Sequence, residues 1–164
     1  MAGKLAYVSI LGRSPWASVN TYYKLLREYG MGGIERLYIF TEERYREGLR
    51  KVVRAFDVLS SAYSMNPEIF TVVLPDYGFN EAEKKFHELF SELAGEGYGI
   101  GIDITSGRKA IVAAAIVQSI NFPVSFIVYM GLLDRDFPNR PYMMIPAHLQ
   151  PVKNFMGAGL WEKS

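Results

Sequence analysis

Two short loops of this 164-residue chain combine small residues with positive charges in a pattern that suits anion binding. The first loop is Gly12 to Trp16, and the second is Asp103 to Lys109, which reads Asp-Ile-Thr-Ser-Gly-Arg-Lys. In the second loop, Thr105 or Ser106 is expected to cap a following helix, and Gly107 would let a ligand approach the backbone closely. The free N–H groups at a helix start attract anions, so this loop predicts a phosphate site.

Positive side chains occupy the first turn of the helix predicted after the second loop. Arg108 and Lys109 stand where the helix dipole disfavours cations by about 0.3–1 kcal/mol each. A bound phosphate would reverse that sign, and Arg13 repeats the feature at the first predicted helix. The alternative is that these side chains simply extend into water. Asp103 is interpreted as an anchor that accepts backbone N–H bonds rather than as a catalytic residue.

Several other chemistries are excluded or disfavoured by the residue pattern. The chain has no cysteine, which excludes disulfides, thiol nucleophiles and Cys-ligated metal sites. His87 and His148 have no partner at ligand spacing, so we predict no metal site and no cofactor. The interval from Gly101 to Gly107 has the wrong spacing for a nucleotide-binding P-loop. With 18 lysines plus arginines against 17 acidic residues, the composition does not predict a DNA-binding protein.

Alternating strands and helices are predicted to position the two loops. Unbroken apolar runs predict strands at 5–11, 34–40, 69–74, 99–104 and 124–130, with a sixth short strand at 142–145. Apolar periodicity predicts helices at 16–29, 42–63, 80–93 and 107–120. The pattern indicates an α/β fold, a Rossmann-like doubly wound sheet that is mainly parallel, with five to six strands and helices on both faces.

The expected strand order 3-2-1-4-5 brings the two loops together. Ligands of such sheets bind beyond the carboxyl ends of the strands, at the point where the strand order reverses, here between strands one and four. We predict one domain over residues 1–150 and a C-terminal arm over 151–164. No membrane-spanning or secretory segment is predicted, and a cytoplasmic localisation is expected.

At these residues the sequence resembles the CARF family, the CRISPR-associated Rossmann-fold domains that bind cyclic oligoadenylates. The first loop of the family often runs Leu-Gly-x-Ser-Pro, which Leu11 to Pro15 match. Its strand-four loop runs Asp-hydrophobic-Thr-Gly-Gly-x-Lys, which Asp103 to Lys109 match except that Ser106 replaces the more usual glycine. The segment Arg140 to Pro146 is similar to the closing strand region of the family. In architecture the resemblance spans about residues 5–146.

The resemblance implies a homodimer with a ring-shaped ligand across its two-fold axis. The nearly all-apolar helix at 107–120 is compatible with burial against a second copy, and almost equally with a monomer core. No nuclease or helix-turn-helix segment is recognised beside the domain, so the chain is similar to a ring nuclease, an enzyme that cuts the messenger and switches off type III CRISPR signalling in antiviral defence. Such enzymes need no metal, because a ribose 2′-OH attacks the adjacent phosphorus and leaves a 2′,3′-cyclic phosphate.

Site residues follow from the same resemblance. Lys109 and Arg108 are expected to stabilise the phosphorane charge and Ser14 to orient the ribose or phosphate, as the catalytic residues of a slow enzyme. The expected ligand-binding residues are Gly12, Arg13, Thr105, Ser106 and Gly107. Cyclic tetra-adenylate is the favoured ligand, and neither DNA nor a membrane is an expected partner. Two alternatives stay open: a non-catalytic sensor or sink that acts with a partner protein, and an unrelated Rossmann-like binder of a mononucleotide or flavin.

Overall fold

The apolar runs of the sequence form strands of a single sheet in the computed structural model, which describes residues 3–157. The strands are β1 (Leu5–Leu11), β2 (Ile34–Glu42), β3 (Glu68–Leu74), β4 (Gly99–Asp103), β5 (Val124–Met130) and β6 (Val152–Asn154). Their order is β3-β2-β1-β4-β5-β6, with β1 to β5 parallel and β6 antiparallel to β5. The predicted order 3-2-1-4-5 is therefore confirmed, and so is the predicted Rossmann-like α/β fold.

Four helices connect the parallel strands and cover both faces of the sheet. They are α1 (Pro15–Tyr29), α2 (Arg46–Ala62), α3 (Phe79–Gly95) and α4 (Lys109–Ser119). The helices α1 and α2 pack on one face and α3 and α4 on the other, because each crossover between parallel strands is right-handed and the order reverses at β1. No helix in residues 3–157 is long and apolar enough to cross a membrane.

Each face of the sheet has its own hydrophobic core. On the α1 and α2 face, Tyr7, Tyr22 and Phe56 form a cluster of mutually tilted rings. On the α3 and α4 face, the Phe86 ring is instead stacked between the rings of Phe40 and Phe90. Burying one such aromatic or large aliphatic side chain contributes about 1.5–3 kcal/mol, which is why the strands read as unbroken apolar runs.

Close packing between β4 and the Phe126 ring of β5 requires glycine in β4. A Cβ atom added to Gly101 would lie 2.0 Å from the Phe126 ring of the neighbouring strand. Glycine at this position therefore permits close packing, because the Phe126 ring takes the space that a side chain would need.

The sixth strand lies elsewhere than predicted. Residues 142–145 were expected to be extended, but Tyr142–Met144 form a 3-10 turn whose first N–H is held by the Asn20 side chain at 2.8 Å. Proline residues at both ends of this segment restrict its pairing with another strand. The strand β6 instead lies within the segment 151–164 that was predicted as an arm, and residues 158–164 are outside the described part of the chain.

Candidate anion-binding site at the carboxyl ends of β1 and β4

The two loops predicted to bind phosphate are in direct contact. Strands β1 and β4 are neighbours in register, with Ser9 opposite Asp103, so their following loops leave the sheet side by side. The approach is so close that a Cβ atom on Gly12 would lie 2.1 Å from the carbonyl oxygen of Ser106. Only glycine fits at position 12, because any side chain there would push the loops apart.

The Ser106 hydroxyl joins the two loops. It accepts a hydrogen bond from the Gly12 N–H at 3.0 Å and donates one to the Ser14 carbonyl at 2.8 Å. The resembled family usually has glycine at this position, so both bonds depend on a side chain that the usual loop of the family lacks. The substitution therefore adds a tie between the loops, and the backbone contact at Gly12 is kept.

Asp103 anchors the second loop from inside the protein. Its buried carboxylate accepts the Thr105 N–H at 2.9 Å and faces the Ser9 hydroxyl at 3.4 Å. Burial raises the pKa of Asp103 to about 6, because the charged form loses water, and the hydrogen bonds from Thr105 oppose that rise. The expectation that Asp103 accepts a backbone N–H bond is confirmed.

Thr105 and Ser106 do not cap the helix that follows them, contrary to the expectation. The N-cap position of α4 is Arg108, which makes no side-chain capping bond, and the helix begins at Lys109. The Thr105 hydroxyl instead accepts the Met130 N–H at 3.0 Å and lies 3.1 Å from the Thr21 hydroxyl. The hydroxyls of Thr105 and Ser106 both bond to other parts of the protein, so neither of them caps the N–H groups at the start of α4.

Backbone donors at this helix start are free to bind an anion. In the described part of the chain, the N–H groups of Ser106, Gly107 and Arg108 make no hydrogen bond. Gly107 is required here, because a Cβ atom would lie 2.7 Å from both Ile10 and Val112. Successive free N–H groups at the beginning of a helix are the kind of donors that anion sites use, and the phosphate site stays a prediction.

The three cations predicted near the loops have different environments. Arg13 and Lys109 are exposed, and neither forms an ion pair with any residue from 3 to 157. Arg108 is bound to Glu42 at the end of β2, with its Nη1 atom 2.9 Å and 3.2 Å from the two carboxylate oxygens. Tyr77 covers this pair, since its ring lies 5.3 Å from the guanidinium and its N–H donates to Glu42.

Ser14 lies at the start of α1, beside the same loops. Its hydroxyl accepts the Ala17 N–H at 3.3 Å as the N-cap of α1 and donates to Asn139 Oδ1 at 3.1 Å. Asn139 has a positive φ of 56° and belongs to the segment that follows β5. A cavity of about 60 Å³ lies between Ser14, Thr105 and Asn139. The hydroxyl is thus held in place on a pocket wall by two partners.

Two polar residues of α1 hold the segment that follows β5 over the site. The Asn20 amide donates to the Arg140 carbonyl and accepts the Tyr142 N–H, each at 2.8 Å. The buried Lys24 ammonium donates to the Gln150 carbonyl at 2.5 Å. These contacts were not predicted from the sequence. Asn20 and Lys24 are polar, buried and four residues apart on α1, and this spacing is the sequence feature that could have indicated a polar contact on that side of the helix.

Metal ligation was not predicted for this site. Within residues 3–157, no group of three or more His, Cys, Asp or Glu side chains is arranged to hold a metal ion. His87 is exposed, and its Nδ1 atom lies 3.2 Å from the Gln118 side chain.

No protein family profile and no curated protein matches the sequence, but solved structures match the fold. Can2 from Sulfobacillus thermosulfidooxidans, in complex with cyclic tetra-adenylate, aligns with a TM-score of 0.53 and 17% identity over 80% of this chain and 32% of its own. A type III CRISPR defence DNA nuclease activated by cyclic oligoadenylate aligns with a TM-score of 0.55 and 12% identity over 81% and 20%. Enterococcus italicus Csm6, bound to cyclic hexa-2′-fluoro-hexa-dAMP, aligns with a TM-score of 0.55 and 18% identity over 79% and 34%.

The chain spans about a third or less of the length of these three proteins. At such identities the likeness concerns the fold alone. From its sheet order, its paired loops and these structural neighbours, the chain has a CARF-like Rossmann fold.

Proposed function

We propose that this chain binds a cyclic oligoadenylate, with cyclic tetra-adenylate favoured, across a homodimer and cleaves it slowly without a metal, which switches off type III CRISPR signalling. The observation that carries the proposal is the set of free N–H donors of Ser106, Gly107 and Arg108 beside the unpaired cations Arg13 and Lys109. The CARF-like fold supports a cyclic oligoadenylate as the anion, because the structural neighbours include proteins solved with such rings.

Ring phosphates would satisfy the groups that the protein leaves unpaired. Each hydrogen bond from a charged group to phosphate contributes about 1.5–3 kcal/mol, and Arg13 and Lys109 are available for such bonds. Arg108 uses its Nη1 atom on Glu42, so its remaining guanidinium donors are the ones proposed to reach phosphate. Glu42 then acts as the group that aims Arg108 at the ligand.

A second copy of this chain would cover an exposed apolar face. Val117 of α4 is 55% exposed, Ile120 directly after the helix is 74% exposed, and Tyr129 of β5 is exposed on the same side of the sheet. The helix α4 starts at the candidate site, and Val117 lies about 12 Å further along it. A two-fold contact with the two helices side by side and parallel would place both sites at the same end of the dimer. A ring with matching symmetry could then contact both copies, which supports the homodimer.

The proposed reaction is an internal transesterification of RNA. A ribose 2′-oxygen attacks the adjacent phosphorus as its proton leaves to solvent, the bond from phosphorus to the 5′-oxygen breaks, and that oxygen takes up a proton. The products are a 2′,3′-cyclic phosphate and a 5′-hydroxyl. Ser14 would hold the ribose or phosphate in line for attack, while Lys109 and Arg108 stabilise the charge of the phosphorane.

Product analysis of cyclic tetra-adenylate incubated with the full chain in EDTA tests the proposal. We expect linear products with 2′,3′-cyclic phosphate ends. Chromatography separates these products, mass spectrometry identifies them, and their resistance to phosphatase confirms the cyclic ends. A ring of 2′-deoxy sugars is the control, because it should bind but resist cleavage. Cleavage that stops in EDTA, or products with 3′-hydroxyl and 5′-phosphate ends, would contradict the mechanism.

A non-catalytic sensor or sink that acts with a partner protein is the second candidate. The observation that favours it is the surroundings of the Ser14 hydroxyl, whose partners Asn139 and the Ala17 N–H cannot accept a proton as a general base. A ring that stays intact while binding tightly would establish this function. A chain that does not bind the ring would instead fit a Rossmann-like binder of another nucleotide.

A further inference from the structure

The strand β3 forms one lateral edge of the sheet, two strands away from β1 of the candidate site. It is the first strand in the order, and within residues 3–157 only β2 pairs with it. Of its seven residues, Glu68 alone is charged, and the rest read Ile-Phe-Thr-Val-Val-Leu. A long apolar strand with free main-chain groups invites pairing with another chain, so natural proteins usually protect such an edge or use it to bind a partner.

A basic groove runs along this edge. The groove has a volume of about 740 Å³, and it is lined by Ile69 and Thr71 of β3 and by one face of α2. That face carries three exposed arginines at four-residue spacing, Arg46, Arg50 and Arg54. Arg46 is paired with Glu43 at 3.1 Å, while Arg50 and Arg54 form no ion pair in the described chain.

Acidic side chains are scarce in the groove. Asp57 is the single carboxylate among its lining residues, so the arginines leave a net positive wall. Leu49, Val53 and Ile69 make the floor apolar, and no lining residue is aromatic. A groove with an apolar floor, a cationic wall and an open strand edge suits an extended peptide better than a single-stranded nucleic acid, which relies on aromatic stacking.

The spacing of the arginines matches that of a strand. Four residues of helix advance about 6 Å, so Arg50 and Arg54 are offset by that distance along α2. Two residues of an extended strand advance about 6.7 Å, which is the separation of side chains on one face of the strand. A peptide added to β3 with an acidic residue at every second position would place its carboxylates opposite successive arginines.

A second copy of this chain fits the groove poorly. Two copies paired antiparallel through β3 would place their α2 helices side by side on the same face of the joined sheet. Their arginine rows would then face each other, and like charges in contact cost several kcal/mol. The charge of the groove therefore selects against self-pairing and in favour of an acidic partner.

We propose that the β3 edge and the α2 arginines form a docking groove for an extended acidic segment of a partner protein, which adds to the sheet as a seventh strand beside β3. Main-chain hydrogen bonds to β3 would supply affinity, and the arginines would select carboxylates. This surface is separate from the loops of the candidate site and does not depend on what they bind.

Fluorescence polarisation with the full chain tests the groove. The probe is a fluorescein-labelled heptapeptide of alternating glutamate and valine, and we expect it to bind and to lose at least tenfold in affinity when Arg50→Glu and Arg54→Glu are combined. The matched control is Lys84→Glu with Lys85→Glu on α3, which changes the same charge on another exposed surface and should leave binding intact. Circular dichroism of both double variants checks that they remain folded.

Two further probes separate strand addition from attraction by charge. The same peptide N-methylated along one hydrogen-bonding edge should lose binding, while methylation along the other edge should preserve it. Equal binding of both methylated peptides would overturn the proposal, as would no binding of the parent peptide or unchanged binding by the arginine double variant. Binding of a labelled decameric oligouridylate, lost in the arginine variant while the peptide fails to bind, would assign the groove to nucleic acid instead.

Discussion

The Arg108 guanidinium donates from one nitrogen to both carboxylate oxygens of Glu42, at 2.9 and 3.2 Å. The side chain of Glu42 is only 3% exposed, whereas that of Arg108 is 31% exposed. The pair joins the loop after β4 to the end of β2, across the intervening β1. Arg108, which is predicted to bind the ligand, therefore also neutralises the buried charge of Glu42.

Removing Arg108 should destabilise the protein more than removing its neighbour Lys109. Arg108→Ala leaves the buried Glu42 carboxylate without its cation, which should cost about 1–3 kcal/mol, while Lys109→Ala at an exposed position should cost less than about 0.5 kcal/mol. Urea unfolding measures both values. The combined variant Arg108→Ala with Glu42→Gln should recover part of the loss, and equal stability of the two single variants would contradict the role given to the ion pair.

Ligand affinity should depend on the two unpaired cations. Arg13→Ala and Lys109→Ala should each weaken binding of cyclic tetra-adenylate by about tenfold to a hundredfold, because a charge-assisted bond to phosphate is worth about 1.5–3 kcal/mol. Isothermal titration calorimetry measures the affinities, with Lys85→Ala on α3 as the control. Unchanged affinity in both variants would remove these loops from the binding site.

Ser14→Ala should slow cleavage more than it weakens binding. The Ser14 hydroxyl faces the small cavity and is oriented by Asn139, so its loss disturbs alignment of the attacking group. The same change removes an N-cap, at about 0.5–2 kcal/mol of stability. Ser14→Thr keeps the hydroxyl and should restore the single-turnover rate. If Ser14→Ala lowers affinity and rate equally, Ser14 binds the ring without aligning the reaction.

Stability should decrease as the pH rises from about 4 to 6. Burial raises the pKa of Asp103 to about 6, so the folded state binds this proton more tightly than the unfolded chain does, and raising the pH through that window favours unfolding. One pKa unit corresponds to about 1.4 kcal/mol, so the loss is up to about 3 kcal/mol.

Asp103→Asn isolates this contribution. The amide oxygen can still accept the Thr105 N–H, but the side chain no longer titrates. The difference in free energy of unfolding between wild type and variant should therefore vary across this pH window and become constant above it. Asp57→Asn on the surface serves as the control, and parallel pH profiles for wild type and Asp103→Asn would refute the role of burial.

The exposed face of α4 should govern self-association. Light scattering at micromolar concentration should give twice the 18.6 kDa mass of one chain, and Ile120→Glu with Val117→Glu should reduce it to one. Both side chains are exposed in the single chain, so the change should leave its folding intact. A wild-type mass near 18.6 kDa would rule out the homodimer under these conditions.

The parallel sheet could be predicted because its strands are apolar on both faces and are separated by amphipathic helices. The short β6 could not, because Val-Lys-Asn carries no apolar run and is defined by its pairing with β5. In the site, the contact between the Gly12 loop and the Ser106 loop could be predicted, because the expected strand order places β1 beside β4. The pairing of Arg108 with Glu42 did not, since 66 residues separate them and a carboxylate at the end of a strand is no local signal.

The two ends of the described chain lie toward the end of the sheet where the parallel strands begin, opposite the candidate site. Gly3 precedes the first residue of β1, and after the antiparallel β6 the chain returns along β5, where the Phe155 N–H donates to the Ile127 carbonyl. A surface tether or a fluorescent fusion attached at either of these ends would therefore leave the loops after β1 and β4 facing solvent. The topology makes this chain suitable for immobilisation with the loops of the candidate site pointing away from the support.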